Sequence, residues 1–279
     1  MILNKIFSFS PPLLTLISPG SAAFSLCGWT VKWYGVFIAV SFLLYYFITE
    51  KLVKKHNISE VHFNNLIFFV LVSGIIFARL YYVVLNRAYF TEHLNEIPMI
   101  WLGGQTIHGG IFGAVIAIFL YSKIKNISPF IFLDLFSIVV PLGQSIGRWG
   151  NFFNNEAFGK PAISSFIRLY IPEEYRPLKY INQGYFHPVF LYESVLDLLI
   201  FIILYKKYNK WRKTEGKTFW TYLLFYSTVR FFLEFIRIDS LYIFDHLASG
   251  HVISFILIVI AVLMISWDDK LKYLYKRRK

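Results

Sequence analysis

Seven apolar runs constrain this chain more than any other feature. They lie near residues 32–49, 64–85, 107–122, 129–147, 189–205, 217–237 and 251–267. Crossing the hydrocarbon core of a bilayer takes roughly 20 apolar residues per helix. Only 16% of the 279 residues are charged, well below the roughly 25% of a soluble domain. The fold class this predicts is an all-α integral membrane protein. Its expected form is a bundle of about seven transmembrane helices, one per run, with a small extracytoplasmic cap.

Basic residues set the expected orientation. A formal net charge of +12 would suggest nucleic acid in a soluble protein, but here the cations sit in short loops between apolar runs. Lys51, Lys54 and Lys55 follow the first run, and Lys123 and Lys125 follow the third. Lys206, Lys207, Lys210, Arg212, Lys213 and Lys217 separate the fifth from the sixth, and the chain ends Lys276-Arg277-Arg278-Lys279. The alternate loops are poorer, with Lys5 in the arm and Arg87 in 86–106. With an odd number of spans all four clusters share one face. The positive-inside rule then puts the N-terminus outside and the C-terminus in the cytoplasm, with no nucleic-acid partner.

Cys27 is the only cysteine, so no internal disulfide forms. No internal repeat appears, and one domain over 1–279 is the simplest organisation. Residues 1–31, interrupted by Pro11-Pro12 and Pro19-Gly20, are expected as an uncleaved amphipathic extracytoplasmic arm, with a cleavable signal peptide as the alternative. Residues 148–188, with Pro161, Pro172, Pro177 and Pro188, are expected as an irregular extracytoplasmic cap.

Ionisable residues against apolar runs are site candidates, because a charge in the bilayer needs a partner. The richest stretch is Gly143 to Glu156, which brings Arg148, Asn151, Asn154, Asn155 and Glu156 to the end of the fourth run. Arg79 lies late in the second run, either snorkelling to the interface or lining a cavity. His108 opens the third, beside the small-residue pairs Gly109/Gly113 and Gly110/Ala114, which allow close helix approach. Tyr226, Arg230 and Glu234 recur at i, i+4 and i+8, with Arg237 three residues further, all on one helical face. Two arginines against one carboxylate leave a surplus positive charge that calls for an anionic ligand. Tyr34, in Trp33-Tyr34-Gly35, reads by default as an interfacial aromatic. Tyr192-Glu193, after His187-Pro188, reads as either a support network or part of a site.

These residues, in this order, resemble the bacterial prolipoprotein diacylglyceryl transferase family. Its signature resembles GRxGNFxNxE, met here by Gly147, Arg148, Gly150, Asn151, Phe152, Asn154 and Glu156. Trp33-Tyr34-Gly35, Ala78-Arg79, His108-Gly109-Gly110, His187-Pro188 with Leu191-Tyr192-Glu193, and Arg230-Phe231 through Glu234 and Arg237 also match. Asn155 departs from the pattern, standing where glycine usually precedes the glutamate. Phe77 and Tyr81 flank Ala78-Arg79-Leu80 where small residues are more usual.

The resemblance implies a bacterial plasma (inner) membrane enzyme that acts without a cofactor or metal. Its partners would be phosphatidylglycerol and a preprolipoprotein whose lipobox cysteine accepts the diacylglyceryl group, with glycerol phosphate leaving. Arg148 and Arg230 would stabilise the charge growing on the phosphate. His108 would take the thiol proton or, alternatively, bind the headgroup, and Tyr226 and Glu234 would complete the catalytic set. Tyr34, Arg79, Asn151, Asn154, Glu156 and Arg237 would bind substrate. Another phospholipid headgroup transferase is the alternative, and an anion transporter a more distant one, since no duplicated halves appear.

Overall fold

All seven apolar runs are helical in the computed structural model, which describes residues 7–10, 13–26, 28–56, 58–162, 165–240, 242–243 and 247–277. Lys5, Cys27, Arg278 and Lys279 lie outside the described residues. The helices are α1 (Trp33–Val53), α2 (Glu60–Leu85), the short α3 (Arg87–Glu92), α4 (Ile107–Lys125), α5 (Pro129–Phe153), α6 (Val189–Trp211), α7 (Lys217–Glu234) and α8 (Ser249–Arg277). Five of them, α1, α2, α4, α5 and α8, are long and apolar enough to cross a membrane. Side chains such as Phe68, Ile111 and Phe255 remain more than half exposed on them, as expected of surfaces that face lipid. This is a membrane protein. α6 and α7 fall outside that group of five because α6 carries Glu193, Asp197 and Lys206, and α7 carries Lys217, Arg230 and Glu234.

Two compact units make up the chain: residues 1–48 with 136–279, and residues 49–135. The first unit has an aromatic core around the end of α5. Phe152, Phe153, Phe158, Leu169, Phe186 and Phe190 are buried there with Leu16, and Trp33 stacks on Phe153 at 4.9 Å. Four strands cover it in the order β1 (Phe7–Ser10), β2 (Leu13–Ile17), β5 (Ile167–Tyr170) and β6 (Tyr185–Phe186). β2 runs parallel to β5, with Leu14 opposite Ile167 and Ile17 opposite Tyr170. Two hairpins complete the β structure, β3 (Ala22–Leu26) with β4 (Trp29–Lys32), and β7 (Tyr242–Ile243) with β8 (Leu247–Ala248).

The protein is therefore mostly helical, consistent with the all-α membrane class expected, and carries small sheets as well. The described residues of the segment read as an amphipathic arm form strands, and two of these, β1 and β2, share a sheet with β5 and β6 of the segment expected to be irregular. A parallel pairing between positions about 150 residues apart leaves no local spacing to read.

The second unit rests on the packing of α4 against α2. A Cβ at Gly109 would lie 2.4 Å from the Phe77 carbonyl oxygen, and one at Gly113 would lie 2.5 Å from that of Ser73. The Ser73 hydroxyl donates to the Gly113 carbonyl at 2.8 Å. The small-residue reading holds most tightly at this pair. At Gly110 the nearest atom, the Gly74 carbonyl oxygen, would be 3.7 Å from a Cβ, an ordinary contact.

Candidate active site at the end of α5

The signature segment is the last two turns of α5 and their cap. Asn155 N–H donates to Phe152 O at 3.2 Å, and Glu156 N–H donates to Asn151 O at 3.0 Å. These two bonds form a Schellman cap, whose penultimate residue must be left-handed. Asn155 holds that position with φ 54°. Asparagine tolerates this conformation better than any residue but glycine, which explains how the departure from the family's usual glycine is accommodated. The cap turns Glu156 back on the helix, where its Oε1 accepts from Asn151 Nδ2 at 2.8 Å and from Asn154 Nδ2 at 3.3 Å. Gly150 faces Tyr34, and a Cβ there would lie 2.4 Å from the tyrosine ring. Only glycine lets α1 present Tyr34 so close to the signature helix.

Glu193, one turn into α6, joins the charged residues. Its side chain is 2% exposed, and Arg148, Arg230 and Arg237 all converge on it. Arg230 NH1 donates to Glu193 Oε1, and Arg237 NH1 reaches the same oxygen at 3.3 Å. Arg148 Nε pairs with Glu193 Oε2 by charge, without hydrogen-bond alignment. Its NH1 makes only a long contact of 3.5 Å to Asn151 Oδ1. Of the three guanidinium groups, that of Arg148 is the least committed to protein acceptors. Arg230 NH2 also donates to Glu234 at 3.2 Å, and Arg237 NH2 to Asp239 at 2.5 Å.

Neighbouring contacts fix this cluster. The Glu234 carboxylate lies over the first turn of α8, where a Cβ on Gly250 would come within 2.4–2.6 Å of its carboxyl atoms. Tyr226 stacks on Tyr222 at 5.8 Å, and the Tyr222 hydroxyl donates to Gln144 Oε1 at 3.2 Å. Ser145 Oγ donates to the Ser194 carbonyl at 2.7 Å, tying α5 to α6 beside Glu193. Asp197, one turn deeper than Glu193 on α6, is 1% exposed, and neither of its oxygens has a hydrogen-bond partner among the described residues.

The surplus positive charge inferred from α7 needs correction. Glu193 and Asp239 join Glu234 in ion pairs with the three arginines, and Asp197 lies within electrostatic reach of Arg148 and Arg230. The extra carboxylates come from another helix and a loop, and same-face spacing along α7 cannot reveal either. What the cluster offers an anion is an array of preoriented N–H donors rather than an excess of charge.

Arg79 and His108 belong to the second unit. Arg79 is 6% exposed, and its donors go to main-chain carbonyls: Nε to Ile97 at 2.8 Å, NH1 to Gly103 at 2.7 Å and Gly104 at 3.2 Å, and NH2 to Glu96 at 2.6 Å. Phe90 and Tyr82 flank the guanidinium at 5.2 and 5.7 Å. Buried and bonded to main-chain carbonyls, Arg79 does not snorkel; it staples the loop that leads into α4. His108 follows that loop on the first turn of α4, which Thr106 caps by accepting from Gly109 N–H. Its ring is exposed and makes no hydrogen bond among the described residues. The same helix start borders a hollow of about 400 Å³ lined by Ala78, Thr106, Gly110 and Ala114.

The sequence alone singled out every arginine of the cluster but left Glu193 between two readings and passed over Gly250. A usable signal for Glu193 was its place, with Asp197 one turn further on, early in a largely apolar run. Gly250, a lone glycine beside a serine at a helix start, carries none.

Comparison with known proteins comes to one result. Residues 21–267 match the family model described as prolipoprotein diacylglyceryl transferase. A phosphatidylglycerol–prolipoprotein diacylglyceryl transferase of Thermotoga maritima is 41% identical over 263 residues, covering 93% of this chain and 86% of the relative. The enzyme of the same name from Staphylococcus haemolyticus is 41% identical over 267 residues, covering 94% and 93%. That of Fervidobacterium nodosum is 42% identical over 238 residues, covering 85% and 81%.

Proposed function

This chain belongs to the prolipoprotein diacylglyceryl transferase family, and on that premise we propose that it transfers the diacylglyceryl group of phosphatidylglycerol to a prolipoprotein cysteine. A sulfur–carbon bond forms at the glycerol carbon as that carbon's bond to the phosphate oxygen breaks. The electron pair leaves with the phosphate as glycerol phosphate, and the thiol proton passes to a base. The observation that carries this reading is the convergence of Arg148, Arg230 and Arg237 on Glu193 beside the capped end of α5.

Negative charge grows on the phosphate oxygens as the bond breaks, and fixed N–H donors stabilise it without reorganising. Arg148 and Arg230 supply those donors, while Glu193, Glu234 and Asp239 hold the guanidinium planes in place. Arginine suits this task because its fork meets two phosphate oxygens at once. Glu156, Asn151 and Asn154 take the headgroup hydroxyls, and Tyr34, Tyr226 and Arg237 shape the walls. A thiol at neutral pH is mostly protonated and needs a base. His108 fills that role, its exposed ring free to accept a proton, and Arg79 fixes the loop that carries it. The chain acts as one catalytic domain over 1–279. It spans the bacterial plasma membrane seven times, with the N-terminus outside, the C-terminus cytoplasmic, and 148–188 with the N-terminal strands as the extracytoplasmic cap.

The test uses purified enzyme, phosphatidylglycerol with labelled acyl chains and a cysteine peptide. Arg148→Ala and Arg230→Ala are each expected to lower thioether formation by ~10²–10³ while the protein still accumulates in the membrane. Unchanged transfer by Arg148→Ala would remove the signature from the mechanism. His108→Asn is expected to slow transfer and to recover partly as pH rises and the substrate thiol ionises. A pH profile parallel to wild type would assign the base elsewhere.

A further inference from the structure

Asp197 stands beside the arginine cluster, and the mechanism above gives it nothing to do. It follows Glu193 by four residues on α6, so the two carboxylates share a helical face. Arg148 and Arg230 both act on it electrostatically, Arg148 the more strongly. Asp197 is 1% exposed, yet neither oxygen has a hydrogen-bond partner among the described residues. Tyr222 lies within electrostatic reach as well, but its hydroxyl donates to Gln144 at 3.2 Å. A carboxylate buried without a hydrogen-bonded partner is costly, and a native fold that keeps one calls for a reason.

The charges of substrate and product supply that reason. The phosphodiester of phosphatidylglycerol carries one negative charge. The departing glycerol phosphate is a monoester with a second pKa near 6, so it carries about two charges above neutral pH. Arginine donors therefore hold the product more strongly than the substrate. Glu193, Glu234 and Asp239 are each matched directly to a guanidinium. Asp197 is not, so its charge acts on whatever anion those arginines hold. Its repulsion rises in proportion to the ligand's charge and falls hardest on the monoester.

We propose that Asp197 is a positioning residue that weakens the grip of Arg148 and Arg230 on phosphate, more for the departing monoester than for the incoming diester, and so favours product release. The proposal rests on the transferase reading given above.

Its test uses purified enzyme, phosphatidylglycerol and a cysteine peptide at about pH 8, where glycerol phosphate is a dianion. Asp197→Asn keeps the shape and removes the charge. It is expected to lower KM for phosphatidylglycerol about threefold and the inhibition constant of added glycerol phosphate about tenfold, because Coulomb energy scales with ligand charge. Asp197→Glu keeps the charge and should hold the ratio of the two constants near its wild-type value. A purely structural role would loosen both ligands. Raised or unchanged constants in Asp197→Asn, an equal fall in both, or the same shift in Asp197→Glu would overturn the proposal. Should Asp197→Asn fail to accumulate, Asp197→Ser gives the same reading. Failure of both to accumulate would assign the carboxylate to folding and sink the proposal too. Absence of transfer by wild type would instead refute the transferase reading.

Discussion

Arg79 and Arg148 are both arginines late in apolar helices, yet their surroundings differ in kind. Arg79 gives its donors to four main-chain carbonyls between Glu96 and Gly104. Arg148 pairs with one carboxylate off-axis and keeps its terminal nitrogens nearly free. A guanidinium saturated by backbone is a structural staple, whereas one held only by charge at its base remains able to grip a ligand. An arginine in an apolar run therefore signals that a partner exists, and the partner's identity decides the role.

The largest effect is expected where that contrast is broken. Arg79→Ala should lower stability by about 3 kcal/mol or more, since it leaves several carbonyls without their donor, and should show as poor accumulation and a lower Tm. Arg148→Ala should keep its Tm within a few degrees while losing transfer. If Arg79→Ala instead accumulates normally with a wild-type Tm, the staple assignment is wrong.

Two glycines of the signature offer the next test. Gly150→Ala drives a methyl into the Tyr34 ring, a clash expected to cost about 1–3 kcal/mol and to reduce transfer at least tenfold. At Gly147 a Cβ meets nothing within 4 Å, and Gly147→Ala should be neutral or slightly stabilising in this helix. Comparable losses for both would show that the motif works through something other than Tyr34 packing.

Gly250→Ala should act through Glu234. The added methyl displaces that carboxylate and frees Arg230, so kcat is expected to fall several-fold with KM for the peptide little changed. Combining it with Glu234→Asp, whose shorter side chain withdraws the carboxylate, should recover part of the loss. Additive losses in the double variant would mean that the glycine serves helix α8 alone.

The smallest effect is a pH dependence of the cap. Burial lowers the pKa of His187 below the ordinary histidine value of 6.5. The neutral ring is thus the native form, and its contribution to stability is complete above pH 6.5 and declines as pH falls through the lowered value. Thermal melts of His187→Gln should vary less than wild type over this acidic range. Matching slopes would place the acid sensitivity in another group.

Much of the candidate site was legible before any coordinates. The Tyr226, Arg230 and Glu234 face follows from helical periodicity, whereas Arg237, expected on the same face, lies past the end of α7 in a bridge with Gly159; Arg148 to Glu156 stood out as polar residues at the end of an apolar run. The small-residue contact of α4 was readable for the same reason, because spacing along one helix is a local property. The carboxylates that balance the arginines were not legible in this way, since Glu193 and Asp239 reach the cluster from separate segments. Nor was the parallel pairing of β2 with β5.

The sequence by itself determined that this is a helical membrane protein and which charged residues must find partners, because hydrocarbon penalises every unpaired charge wherever it lies. Only the tertiary structure decided which partners they find: backbone for Arg79, a shared buried carboxylate for Arg148, Arg230 and Arg237. Partner choice depends on distances of a few ångströms between segments far apart in the chain, and no pattern along a single strand of residues encodes those distances.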